Sequence, residues 1–176
     1  MWSNSLYIVT GVVGIGLASG MPIALGRAGQ TAVRAAALLV STMIVVTGMV
    51  STWYHRTGAD ACCAHGDFLK LQRVDVGCAN ATGVAGVCLV LPLTILGLVR
   101  RPAAGPIVLL VASAVLGAAA IALYANLRSQ DARTTLRPSE YDFQHGAWHV
   151  LSALSALMGL VAVFLALRPP TQGTSG

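Results

Sequence analysis

Apolar residues dominate five long stretches of the chain, and the breaks between them are short and polar. The stretches run from about Leu6 to Leu25, Ala32 to Tyr54, Val74 to Val99, Pro106 to Leu127 and Phe143 to Leu167. Each is close to or above the roughly 20 residues that cross a hydrocarbon core. They are far longer than the strand of a membrane barrel and lack its two-residue alternation. The pattern predicts an all-α, polytopic transmembrane helix bundle with five spans, forming one domain over residues 1–168. The Pro- and Gly-rich remainder, 169–176, reads as a short disordered tail. Met1 to Ser5 carries no Lys or Arg, so the first stretch is expected to be a permanent helix and not a cleaved export signal.

Composition agrees with that frame. Of 176 residues, 56% are hydrophobic and 10% charged, and the mean hydropathy is +0.74, which excludes water as the solvent for most of the surface. The net charge of +5 comes with no basic face interleaved with aromatics, so no nucleic-acid partner is expected. Tracing the spans places the N-terminus and the 55–73 and 128–142 loops on one membrane face. The 26–31 and 100–105 turns and the C-terminus fall on the other, which carries Arg27, Arg34, Arg100, Arg101 and Arg168 and no acid. Those arginines sit in very short turns. Their density favours a cytoplasmic C-terminus and an extracellular or luminal N-terminal face, in plasma membrane or endomembrane.

Smaller features refine the picture. Gly and Ala recur in "GVVGIGLASG" and "GCANATGVAG", where they allow close helix approach in lipid. Pro22 and Pro92 fall within spans and imply local kinks. Trp53, Tyr54 and Trp148 fit an interfacial aromatic belt. Cys88 reads as a packing residue, whereas Cys62, Cys63 and Cys78 leave several disulfide pairings open on the N-terminal face. "NAT" at Asn80 matches a glycosylation acceptor but falls inside a span.

The chemistry sits in "DFQHGAWHVL". Residues four apart lie above one another on a helix, so His145 and His149 can aim their rings at one centre. Two imidazoles make half of a tetrahedral zinc site, and a third protein ligand would leave one position open. His55, closing the second span on the same membrane face, is the candidate for that ligand. Ser51 stands one turn before it, and Asp75 opens the third span. An acid there is costly and points to a partner or a function. His65 falls in a polar loop and is expected to be solvated.

Ser-x-x-x-His ending one helix, Asp early in the next and His-x-x-x-His opening the last resemble the superfamily of alkaline ceramidases and progestin and adiponectin receptors. "STWYH", "LQRVD" and "HGAWHVLSALSAL" look most like its transmembrane protein 8 and myomaker branch. The resemblance covers the second, third and fifth spans. It implies a seven-helix fold, Zn2+ held by His55, His145 and His149, and Asp75 and Ser51 in the inner shell. In several members it also implies hydrolysis of lipid amide or ester bonds. This chain departs in having five apolar stretches.

The expected function is therefore a zinc-dependent lipid hydrolase whose substrate, a ceramide, phospholipid or lipid anchor, enters from the surrounding membrane lipids. Asp75 would act as base, and Ser51 would orient water or the oxyanion. The alternative is a non-enzymatic, myomaker-like remodelling or fusion protein with a structural zinc, or a metal-braced receptor or accessory subunit.

Overall fold

The computed structural model describes residues 2–59, 65–129 and 138–170. Among these, all regular structure is helical: α1 (Trp2–Gly20), α2 (Arg27–Ala59), α3 (His65–Ala85), α4 (Leu91–Arg100), α5 (Ala104–Ser129) and α6 (Pro138–Ala166). A five-residue π-helical segment, Gly86–Val90, joins α3 to α4, so the two form one continuous rod. Four rods are long and apolar enough to cross a membrane, namely Arg27–Arg56, Arg73–Arg100, Ala104–Leu127 and Phe143–Ala166. The shorter apolar helix Asn4–Gly20 accompanies them. The protein is an all-α bundle of integral-membrane character.

The helices extend past their apolar windows. α3 starts at His65 and not near Val74, and α6 starts at Pro138 and not at Phe143. Hydropathy marks only the part of a helix that lipid would cover, whereas backbone hydrogen bonding continues through the polar turns beyond. His65 is consequently the first residue of α3, not part of a loop. Cys62 and Cys63, with their disulfide alternatives, lie outside the described residues.

Side-chain size decides which helices touch. α1 packs on α2 and α6, α2 on α3, α4 on α6, and α5 on α6. At the α1–α2 crossing a Cβ on Gly11 would lie 2.6 Å from the Ser41 carbonyl oxygen. One on Gly48 would lie 2.9 Å from the Tyr7 Cβ, so only glycine permits this approach. The second small-residue stretch behaves otherwise: a Cβ on Gly77, Gly83 or Gly86 would meet nothing within 4 Å. These glycines face outward.

Hydrogen bonds between helices replace the hydrophobic drive that lipid removes. Ser113 Oγ donates to the Ser155 carbonyl at 2.8 Å, and Ser155 Oγ donates to that of Ser113 at 2.7 Å, tying α5 to α6. Thr47 and Thr82 join α2 to α3 at 2.9 Å. Arg34 of α2 reaches back to the end of α1, its Nη1 donating to the carbonyls of Ala18 and Ser19 at 3.0 and 2.8 Å. That satisfies carbonyls a helix end leaves open.

The prolines act differently from one another. α1 ends at Gly20, so Pro22 follows the helix and does not kink it. Pro92 lies directly after the π segment, where Leu91 N–H donates to Gly86 O across five residues. Proline has no N–H for the usual i−4 carbonyl, and the wider turn absorbs that loss. The core is centred on α6, with Phe164, Leu160 and Val163 buried against Val33 and Ile44 of α2 and Ala18 of α1. Cys88 is exposed, not packed inside.

Candidate metal centre

One end of the bundle collects polar groups that the long apolar helices would otherwise exclude. α2 delivers Ser51 and His55 on one face, four residues apart, and α6 delivers His145 and His149 in the same way. His145 Nε2 lies 3.1 Å from His55 Nε2 and 3.0 Å from His149 Nε2. Potential ligand atoms of all three lie within 4.8 Å of one another. His55 and His145 are half-buried and His149 is buried.

The donor set fits a cation. A neutral ring nitrogen either donates or accepts, with a single lone pair, so His145 Nε2 cannot form a full hydrogen bond with both neighbours. Three lone pairs directed at one point suit a metal. Tetrahedral zinc with Zn–N near 2.0–2.1 Å sets its nitrogens about 3.3 Å apart, close to the spacings of His145 from His55 and from His149. Metal-bound histidines usually donate their other nitrogen to a carbonyl or carboxylate. His149 departs from this, because its Nδ1 is buried and has no such partner among the described residues.

Asp75 and Ser51 lie near enough to interact. Ser51 Oγ and Asp75 Oδ1 are both buried without a hydrogen-bond partner among the described residues. Such groups cost about 1–3 kcal/mol each in a folded protein. Two such groups at the same end of the bundle as three convergent imidazoles make this end a candidate site.

Aromatic rings enclose the cluster. The edge of Tyr7 meets His149 at 5.6 Å between centroids and 89° between planes, and Tyr54 meets His55 at 4.9 Å. Trp148 lies 4.4 Å from His149 and stacks on Tyr124 of α5 at 5.1 Å and 30°. Tyr54 and Trp148 are therefore buried walls of the site, not belt residues. Trp53, by contrast, is 58% exposed, as an interfacial anchor would be.

Sequence reasoning missed α1. Tyr7 lies close to Ser152 and near enough to Asp75 to interact with it electrostatically. Asn4, 1% exposed, holds an Oδ1 without a hydrogen-bond partner among the described residues, one turn before Tyr7. The signal was present: Asn4, Tyr7, Thr10, Gly11 and Gly14 recur at helical spacing along an otherwise apolar segment, and that stripe is the buried face.

No family model, curated protein or solved structure matches the chain.

Proposed function

We propose that the protein is a zinc-dependent membrane hydrolase that cleaves an amide or ester bond of a lipid, related at a distance to the transmembrane protein 8 and myomaker family. One observation carries the reading: imidazoles from α2 and α6 bring their Nε2 atoms together beside a buried carboxylate and a buried hydroxyl that have no hydrogen-bond partner among the described residues. A structural brace needs only the first half of that arrangement.

In this reading His55, His145 and His149 hold the metal, and Asp75 and Ser51 handle the proton and the oxyanion. Held by these three imidazoles, zinc would supply Lewis-acid chemistry, activating water near neutral pH and polarising a carbonyl. Asp75 accepts the proton of the attacking water and returns it to the leaving amine or alcohol. Ser51, with its hydroxyl uncommitted, donates to the developing oxyanion. Tyr7, Tyr54 and Trp148 exclude bulk water, which strengthens these contacts. The substrate reaches the site from the bilayer, so a ceramide, a phospholipid or a lipid-anchored species is the class concerned. Arginine density in the turns of the opposite end supports an extracellular or luminal face for the metal centre.

The enclosing rings favour a second reading, a structural zinc in a membrane-remodelling protein. Turnover separates the two. Zinc-loaded protein incubated with labelled ceramide and phospholipids should release fatty acid, and Asp75→Ala should abolish release while retaining zinc. Metal retained with no release from either lipid class by the wild type would leave the brace.

A further inference from the structure

The opposite end of the bundle holds a second built feature. A recess of about 160 Å³ opens where the C-termini of α4 and α6 meet the turn between α1 and α2, and Arg100, Arg101 and Arg168 line it. We propose that this recess binds the phosphate group of an anionic phospholipid. The proposal is independent of the hydrolase reading.

Backbone contacts fix the recess. A Cβ on Gly97 would lie 2.8–2.9 Å from Ala166, so α4 and α6 cross here at glycine distance. Ala24 N–H donates to the Leu167 carbonyl at 2.7 Å, fastening the α1–α2 turn to the end of α6. Arg101 Nη1 donates to the Arg168 carbonyl at 3.4 Å. Three segments thus enclose one concavity, and two of them, the ends of α4 and α6, supply its three arginines; its volume equals that of about five water molecules at ≈ 30 Å³ each.

Charge and depth select the ligand. Residues 21–34, 97–106 and 164–176 contain no Asp or Glu. Arg34 of the same end is committed to α1 carbonyls, but the guanidinium groups of Arg100 and Arg168 donate to no protein group among the described residues. An arginine near a helix C-terminus offsets the end of the helix dipole. That accounts for one at each end, whereas three around a recess form a concentrated positive field. Guanidinium forks match phosphate oxygens bidentately. The apolar spans end at Arg100 and Ala166, so the recess lies at headgroup depth, where basic pockets between helices hold anionic lipids.

The test uses the full chain in neutral detergent, with lipid retention read by native mass spectrometry. Phosphatidylglycerol and phosphatidylcholine are offered in equal amounts, and inorganic phosphate is added in a parallel arm. The wild type should retain one phosphatidylglycerol at least tenfold in preference to phosphatidylcholine. Arg100→Gln/Arg101→Gln/Arg168→Gln should lose the preference. Ala24→Phe should also lose it by filling the recess at constant charge, which covers the case in which the triple variant fails to insert. Displacement of lipid by millimolar inorganic phosphate would support the phosphate site and assign it to a soluble ester. Equal retention of both lipids by the wild type, or an unchanged preference in both variants, would overturn the proposal.

Discussion

His55 Nε2 on α2 and His145 Nε2 on α6 lie 3.1 Å apart, although ninety residues separate them in the chain. Two rods that pack mainly on other helices meet through these side chains at one end of the bundle. A shared ligand at that point would couple the second and last helices, so occupancy should govern stability as well as chemistry. Wild-type protein should melt at a higher temperature with zinc than after chelation, because anything that binds only the native state stabilises it. Thermal unfolding in detergent, with and without chelator, checks this, and identical curves would speak against a centre joining α2 to α6.

Asp75→Asn separates function from stability. Asparagine keeps the shape of the side chain and removes a buried charge that has no full hydrogen-bond set. Hydrolysis should fall by about 10²–10⁴-fold, the usual contribution of a positioned general base. Zinc content should not change, and the melting temperature should hold or rise. A variant that loses zinc would place Asp75 among the ligands.

Gly48→Leu should destabilise by about 1–3 kcal/mol, the usual cost of overpacking, because a Cβ there already meets Tyr7 and Ile8 at 2.9 Å. It should also weaken the site, since Tyr7 rests edge-on against His149. Gly83→Ala, where a Cβ meets nothing within 4 Å, is the matched control and should be neutral. Melting temperatures of the two variants check the contrast.

Metal retention should fall with pH. A histidine ligand must be neutral to bind, so protons compete with the metal for the ring nitrogens. Affinity therefore decreases on acidification from about pH 7.5 to 5. Isothermal titration with zinc across that range measures the slope. A flat profile would point to ligands other than imidazole.

Much of this architecture was legible in the chain. Run length identified the spans, because the bilayer thickness sets it. The spacing of His145 and His149 guaranteed a common face. Asp75 stood out because its charge is expensive at that depth. Other features depend on packing and left weaker traces. Tyr54 and Trp148 look like interfacial aromatics, but both are buried, Trp148 against Tyr124 of α5, while Trp53, beside Tyr54, does face outward. Gly11 and Gly14 of α1 pack tightly while Gly77 and Gly83 of α3 face open space, a difference that composition does not encode. Pro22 lies within an apolar stretch, but α1 stops two residues before it. The contribution of α1 to the site was readable only by testing the spacing of Asn4, Tyr7 and Thr10.

The most direct measurement is the metal content of the purified protein beside His149→Ala, by elemental mass spectrometry after passage through a desalting column. Close to one zinc per chain in the wild type and a near-complete loss in the variant is the expected result. A wild type that holds no metal after zinc loading, or a variant that holds as much as the wild type, would contradict a centre built on His55, His145 and His149.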